Sequence, residues 1–151
     1  MEVKGLKELE ANLLALSKEY GAKSGVQALR PAVRAAVGPI EQTIKANTPR
    51  DSGGLAESTK TRIGKPTRSM LMSDHFHKDQ ILVARVGWVW SGKSLWAQSL
   101  KVEFGSRDSS GTATLRQAFD AHRDQMIKDF VEVLGPAIEK KAKQLNKKRN
   151  K

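Results

Sequence analysis

Residues 80–90, QILVARVGWVW, decide which fold class this sequence predicts. They form the run with the strongest β-strand character in the chain, because valine, isoleucine and tryptophan dominate it. A more polar run, STKTRIGK at residues 58–65, is typical of an edge strand. The chain lacks the repeated alternation of strands and helices that builds a parallel sheet. We therefore expect a small, mainly antiparallel β-sheet.

Helical periodicity occurs on both sides of these strands. Before them, the pattern predicts one helix that ends at Gly21 and a second that Ser24 caps, with Gly38 and Pro39 bending it or dividing it in two. The longest helix is predicted from Ala113, and its apolar face comprises Leu115, Phe119, His122, Met126, Phe130, Val133 and Ala137. The predicted fold class is therefore α+β, with N-terminal helices and a long C-terminal helix packed on the sheet.

The 151 residues are enough for one domain with its own core. We expect a single α+β domain over residues 1–136 and a basic, frayed C-terminal tail over residues 137–151, because Gly135 and Pro136 interrupt the helical pattern. Part of the net charge of +11 lies in that tail. Its candidate contacts to DNA are Lys140, Lys141, Lys143, Lys147, Lys148 and Arg149. No tryptophan or tyrosine is interleaved with them, so sequence-specific base reading has no support. A solvated, frayed end is the favoured interpretation, and non-specific contact with DNA is left open as the alternative.

The composition excludes several kinds of protein. Cysteine is absent, which excludes a disulfide framework and a thiolate metal site. No apolar run reaches the length of about eighteen residues that a membrane-spanning helix needs. The first residues are charged, so we expect no secretory signal, no membrane partner and a soluble protein.

Residues 87–94, GWVWSGKS, match the phosphate-loop pattern GxxxxGK[ST]. Two tryptophans and a valine stand where small residues normally let backbone N–H groups approach phosphate. Too few residues separate Ser94 from the segment VEFGS (102–106) for the helix that such a loop opens, and no later strand offers an acidic metal partner. We interpret the match as chance and expect no cofactor.

Other candidate chemistry is sparse. Asp74, His75 and His77 could place two imidazoles on one face of an extended segment, but three neighbouring ligands in a loop are weak grounds for a metal site, and an ordinary polar loop is the favoured interpretation. His122 is interpreted as a hydrogen-bonded core or interface histidine. No arrangement of a nucleophile, a histidine and an acid can be assembled from the sequence. We therefore predict no catalytic residue and no enzymatic activity.

Three short blocks follow one another in a distinctive order. They are KANTPRDSGGLAES (45–58), LWAQSLKVEFGS (95–106) and ATLRQAFDA (113–121). The residues that carry the pattern are Pro49, Ser52, Gly53, Leu55 and Ser58, then Trp96, Ala97, Glu103, Phe104 and Gly105, and finally Leu115 and Arg116. In this order the blocks resemble the neck and tail-completion family of long-tailed bacteriophages. The third block lacks the family's Phe and Pro, and the segment around residues 70–77 lengthens the hairpin.

The resemblance implies a structural virion protein that completes the tail or joins head to tail at the neck. It implies a homo-oligomeric ring whose partners are connector or head-completion proteins and tail-terminator or tail-tube proteins, located in the virion and, during assembly, in the bacterial host cytoplasm. The residues named above would be structural and interface residues, with Phe104 burying its ring and Gly105 permitting a turn. Loops 48–58 and 67–78 would contact neighbours. The alternatives are a small basic DNA-binding protein and, third, a phosphate-loop nucleotide-binding protein.

Overall fold

The computed structural model describes residues 6–50, 53–73, 80–90 and 92–149. The helices are α1 Leu6–Tyr20, α2 Ala22–Asn47, α3 Gly54–Glu57, α4 Arg68–Leu71, α5 Lys93–Phe104 and α6 Thr114–Arg149. The strands are β1 Thr59–Gly64, β2 Val83–Trp88, β3 Gly105–Ser106 and β4 Ser109–Ser110. The predicted α+β class, with N-terminal helices, a small β-sheet and a long C-terminal helix, is confirmed. Among the described helices, none is both long enough and apolar enough to span a membrane.

The strands form two small sheets. β1 and β2 are neighbours in one of them, and β3 and β4 form an antiparallel hairpin in which Gly105 pairs with Ser110. The backbone N–H of Val89 donates to the carbonyl oxygen of Ser58 at 2.9 Å, so the chain just after β2 lies beside the chain just before β1. Both strands predicted from the sequence are confirmed in their central parts.

The chain forms two compact units, each assembled from separate stretches of sequence. The first comprises Met1–Ala36, Ile63–Val83 and Gln125–Lys151, and the second comprises Val37–Arg62 and Ala84–Asp124. The long helices α2 and α6 therefore contribute to both units. The first unit includes residues on both sides of position 136, so the structure has no boundary at the position where the sequence predicted one.

The core of the first unit is formed by α1, the beginning of α2 and the later part of α6. Its buried residues are Leu16, Ala28, Ala32, Leu134 and Ile138. The partly buried residues packed against them are Leu9, Leu13, Tyr20, Leu29, Phe130, Val133, Ala142 and Leu145. Two alanines at the centre of the cluster allow the helices to approach closely, because the side chains at a helix contact set the distance between the axes.

The segment predicted to be a frayed tail is helical and contributes to this core. α6 continues through Pro136, which is exposed, to its last residue. Ile138 is buried in the cluster and Ala142 packs against it. The hydroxyl of Tyr20 also donates to the side chain of Asn146, which ties the end of α6 to the end of α1. The prediction of a frayed tail is wrong over residues 137–149, because tertiary packing on both sides of the proline outweighs the hydrogen bond that it removes.

The beginning of α2 differs from the sequence prediction in detail. α1 ends before Gly21, as predicted, and Gly21 has a φ of 84°, a conformation that glycine adopts without strain. Ser24 does not cap α2, which begins at Ala22; its hydroxyl instead donates to the carbonyl oxygen of Tyr20 at 3.0 Å. α2 then continues past Pro39 as one helix, so the alternative of two separate helices is wrong.

Candidate assembly surface

All three sequence blocks lie in the second unit. α3, from the first block, packs against α5, from the second block. The hairpin of β3 and β4 then leads from α5 to the third block, which opens α6. Segments that are far apart in the sequence therefore form one local structure in this unit.

Glu103 joins the second block to the third. Its Oε2 accepts a hydrogen bond from the backbone N–H of Leu115 at 2.8 Å, and its Oε1 accepts one from the backbone N–H of Arg116 at 3.3 Å. N–H groups in the first turn of a helix have no partner within that helix. The carboxylate therefore acts as an N-cap supplied from another element, and its negative charge is favourable at the positive end of the helix dipole. The side chain of Arg116 is exposed, whereas that of Leu115 is half-buried.

Thr112 holds the connection between the hairpin and α6. Its backbone N–H and its hydroxyl both donate to the carbonyl oxygen of Val102, at 2.7 Å and 3.0 Å. Its hydroxyl oxygen also lies 2.8 Å from that of Thr114. Ala113, between the two threonines, has a φ of 48°, a left-handed conformation that costs a non-glycine residue about 1–2 kcal/mol. The surrounding hydrogen bonds stabilise this tight entry into α6.

Gly105 forms the turn that the sequence predicts. Its φ is 86°, and a Cβ atom at this position would lie 2.6 Å from the backbone nitrogen of Gly111 and 2.6 Å from the carbonyl oxygen of Ser109. The returning strand of the hairpin thus leaves no room for a side chain. Glycine is required here for both its conformation and its size.

Phe104 does not bury its ring, and the prediction that it would do so is wrong. It is 70% exposed, and it lies at the end of α5, where the chain turns away into the hairpin. Trp96 and Leu100 on the same helix are 48% and 36% exposed. Because these residues are spaced by four, they lie along one side of α5, and we call Trp96, Leu100 and Phe104 the α5 apolar stripe. Large apolar side chains that are exposed together are typical of a protein–protein contact.

Leu100 was missed by the sequence analysis. The sequence signal for it is the four-residue spacing of Trp96, Leu100 and Phe104. That spacing places the three side chains on one side only if the segment is helical, which the sequence did not decide. The structure shows that α5 continues to Phe104, so all three residues lie on one helix.

Two tryptophan side chains connect β2 and the chain after it to the other elements of this unit. Trp88 Nε1 donates to Thr48 Oγ1 at 3.1 Å, and Trp90 Nε1 donates to Ser99 Oγ at 3.0 Å. Thr48 and Ser99 are both buried, and the hydroxyl of Thr48 donates in turn to the carbonyl oxygen of Ile44. The indole of Trp90 remains half-exposed, so it adds to the apolar surface of the unit.

The residues of the first block have different environments. Leu55 is 4% exposed and belongs to the core of the unit, whereas Pro49 is exposed. Gly53 precedes α3 with a φ of 75°. The Ser58 hydroxyl donates to the carbonyl oxygen of Leu55 at 2.7 Å and stabilises the end of α3. Ser52 lies outside the described residues.

A carboxylate also lies on α2 within this unit. The pKa of Glu41 is held below its usual value chiefly by Thr61, and Lys45 acts in the same direction, whereas partial burial opposes both. The buried Thr61 hydroxyl is not aligned for a regular hydrogen bond. It therefore lowers the pKa of Glu41 as a nearby dipole. Lys45 Nζ lies 3.4 Å from Glu41 Oε1, a partly exposed ion pair within one helix that contributes little to stability.

The basic residues predicted to contact DNA lie on the last turns of α6, in the first unit. Lys140, Lys143 and Lys147 lie on one side of the helix, where they and the acidic Glu139 line a shallow cavity of about 430 Å³, and we call the three lysines the α6 lysine face. A rise of about 1.5 Å per residue separates the first from the last by about 10 Å along the axis. Lys141 is half-buried. Lys148 and Arg149 belong to the helix, but their side chains lie outside the described structure.

The phosphate-loop match lies between β2 and α5. α5, Lys93–Phe104, begins within the motif, so the expectation that too few residues follow Ser94 for a helix is wrong. The wider context still differs from a phosphate loop, because in the described part of the chain β2 has β1 as its one neighbour. Within the motif, the indoles of Trp88 and Trp90 are hydrogen-bonded to other elements of the unit. Large side chains, hydrogen-bonded to other elements, thus stand where a phosphate loop has small residues.

The histidine candidates have separate outcomes. His122 is partly buried, and its Nε2 lies 2.7 Å from Thr43 Oγ1, which confirms that it is hydrogen-bonded between α2 and α6 within the second unit. Asp74, His75 and His77 lie outside the described residues. Among the residues that the structure does describe, no cluster of histidine, aspartate and glutamate is arranged to hold a metal ion.

No known protein-family model, curated protein or solved structure matches this chain. Functional inference therefore depends on the three sequence blocks and on the geometry of the second unit.

Proposed function

We propose that this chain is a structural virion protein of a long-tailed bacteriophage, which completes the tail or joins head to tail at the neck and has no enzymatic activity. The observation that carries the proposal is the pair of hydrogen bonds from the first turn of α6 to Glu103. These bonds join the second and third of the blocks that resemble the neck and tail-completion family. The resemblance supports the proposal more strongly because the blocks contact one another in the folded chain.

The α5 apolar stripe supports an assembly role. A ring is formed by heterologous contacts, in which one surface of a subunit meets a different surface of the next. Trp96 and Phe104 offer large rings, and aromatic residues are enriched in the cores of protein interfaces. We propose that the stripe is buried in the virion against the next subunit of a homo-oligomeric ring. Connector or head-completion proteins and tail-terminator or tail-tube proteins are the further partners.

The proposal can be tested in a phage whose genome encodes this chain. An amber mutation in the gene should give filled heads and separate or defective tails, with few infectious particles, and a plasmid copy of the wild-type gene should restore infectivity. A plasmid copy carrying Phe104→Glu should fail to restore it. Leu14→Glu is the matched control, because Leu14 is also a large, exposed apolar residue but lies on α1 in the first unit. Normal virions that lack the polypeptide would contradict the proposal.

The arrangement of neighbouring genes provides an independent test. Genes for portal, capsid and tail-tube proteins next to this one are expected if the proposal is correct. A neighbourhood of chromosomal housekeeping genes would count against it.

A second candidate function is that of a small basic DNA-binding protein, which the α6 lysine face favours. Three lysines on one side of a helix can contact successive phosphates, and such binding weakens steeply with salt because it releases counterions. This alternative predicts that the isolated protein binds duplex DNA tightly at physiological salt. Gel-shift titrations at two salt concentrations would distinguish it from a protein that contacts DNA only within an assembly.

A further inference from the structure

Lysines border the α5 apolar stripe. Lys93, Ala97 and Lys101 form the neighbouring row of the same helix, again spaced by four, and all three are exposed. The one acidic residue of α5, Glu103, is not free on this surface, because its carboxylate caps α6. We call this row together with the stripe the α5 cationic face. Such a face favours a partner surface that is both apolar and acidic.

The stripe alone is too small to hold a stable complex. Its two aromatic side chains are 48% and 70% exposed, and at about 150–250 Å² for a whole aromatic side chain they offer about 180–300 Å² between them. A stable interface of standard size buries about 800 Å² on each partner. The stripe therefore suits a contact that the other contacts of an assembly reinforce, such as those between the subunits of a closed ring.

α6 carries the acidic counterpart within the same unit. Asp120 and Asp124 are exposed, and their spacing of four places them on one side of the helix. The opposite side faces the interior, because Ala118 is buried and His122 is hydrogen-bonded to α2. Phe119, which precedes the first aspartate, is 47% exposed. We call Phe119, Asp120 and Asp124 the α6 acidic face.

The two aspartates are available to a partner. Arg116 and Arg123 lie within one turn of Asp120, but in the described part of the chain no ion pair or hydrogen bond engages either aspartate side chain. Among the described helices, this is also the one place where two exposed acidic residues are four residues apart. The α6 acidic face is therefore the described surface that best complements the α5 cationic face.

We propose that the α5 cationic face of one copy contacts the α6 acidic face of the next copy in the ring. The two lysines pair with the two aspartates, and the α5 apolar stripe covers Phe119. Exposed ion pairs add little affinity, so the charges fix the register of the contact while apolar burial stabilises it. The two faces differ, so the contact is heterologous and repeats from subunit to subunit. This inference rests on the proposed virion role, which it deepens by naming the surface that receives the stripe.

Charge reversal tests the pairing in the phage that carries the amber mutation. A plasmid copy with Lys93→Glu and Lys101→Glu should fail to restore infectivity, and so should a copy with Asp120→Lys and Asp124→Lys. A copy with all four substitutions should restore it, because unlike charges again face each other. Circular dichroism melts that match the wild type establish that the variants are folded. Failure of the fourfold variant, or restoration by either double variant, would overturn the inference.

A matched control separates the pairing from the net charge. It combines Lys93→Glu and Lys101→Glu with Glu132→Lys and Glu139→Lys, which change two exposed glutamates of α6 in the first unit. This control has the same net charge as the fourfold variant and should not restore infectivity. If it does restore infectivity, only the total charge matters and the assigned contact is wrong.

Cross-linking locates the contact directly, because the chain has no cysteine of its own. Two copies with different tags, one with Leu100→Cys and the other with Phe119→Cys, are produced together during infection, and the particles are then oxidised. We expect a disulfide-linked dimer of the two different copies, and none when Leu14→Cys replaces either of them. A dimer of Leu100→Cys with itself would show that two α5 helices meet symmetrically. That result, or particles without the mixed dimer, would overturn the inference.

These outcomes are distinct from the test of the virion role. The amber mutant shows whether particles need the polypeptide at all, whereas the reversed and cross-linked variants show which surfaces meet. Defective tails in the amber mutant, together with no rescue by the fourfold variant and no mixed dimer, would exclude this interface and leave the virion role standing. Normal virions without the polypeptide would remove both.

Discussion

The carboxylate of Glu103 accepts a hydrogen bond from the backbone N–H of Leu115 at 2.8 Å, so the last turn of α5 caps the first turn of α6. Glu103→Ala removes this cap and should lower the free energy of unfolding by about 1 kcal/mol, within the range of about 0.5–2 kcal/mol for N-caps. Urea denaturation measures the change. Glu57→Ala is the matched control, because Glu57 is an exposed glutamate of α3 with no cap to lose. Equal losses in both variants would contradict the capping role.

Phe104→Ala should change stability by less than about 0.5 kcal/mol, because the ring is largely exposed and its removal leaves no cavity. Leu55→Ala, at a buried position of the same unit, should cost about 2–5 kcal/mol. Thermal melts of the two variants test the contrast. A large loss for Phe104→Ala would mean that the ring is enclosed in the folded chain and is not available to a partner.

Gly105→Ala should destabilise the protein by about 1–3 kcal/mol, because alanine must adopt a positive φ and its Cβ meets backbone atoms of the returning strand. Gly64→Ala should instead stabilise it by about 0.4–1 kcal/mol, since Gly64 ends β1 without a positive φ and nothing surrounds its added Cβ. Chemical denaturation of both variants measures these opposite signs. The same sign in both would rule out the hairpin geometry as the cause.

The purified protein should show no saturable binding of ATP or GTP at millimolar nucleotide with magnesium. The reason is that the indoles of Trp88 and Trp90, which are hydrogen-bonded to Thr48 and Ser99, stand where a phosphate loop has small residues that let backbone N–H groups converge on phosphate. Calorimetry with wild type and Lys93→Ala provides the test. Micromolar affinity that Lys93→Ala abolishes would restore the nucleotide-binding interpretation.

The α6 lysine face should contribute to DNA binding through charge alone. Replacing Lys140, Lys143 and Lys147 with glutamine should weaken binding to any duplex and reduce the slope of log K against log salt by up to about 0.9 for each lost phosphate contact. The control replaces three other exposed lysines, Lys7, Lys18 and Lys60. An identical salt dependence in both triple variants would exclude a specific role for this face.

Substitution is preferable to truncation for that experiment. A chain that ends before Lys140 would also lose Ala142 and Leu145, which pack against the core of the first unit. Truncation would therefore combine a loss of charge with a loss of stability, whereas the lysine substitutions leave the packed side of α6 intact.

The sequence by itself determined the fold class and many of the element boundaries. The run at residues 80–90 indicated a strand, and the apolar repeat before Gly21 indicated a helix that ends where α1 ends. Gly105 was correctly expected in a turn. These features depend on side-chain periodicity and on the conformational preferences of single residues, which act over a few neighbouring positions.

Only the tertiary structure decided which surfaces are buried and which are exposed. Phe104 is exposed although phenylalanine is usually buried, and on α6 the small Ala118 is buried whereas its neighbour Phe119 is half-exposed. The helix also continues beyond Pro136 because Ile138 enters the core. The spacing of apolar residues identifies a helix. It does not fix which of two adjacent apolar residues faces the core when both lie near the edge of the apolar face. The choice depends on contacts between distant parts of the chain, such as the cap that Glu103 provides to α6, and no local pattern contains those contacts.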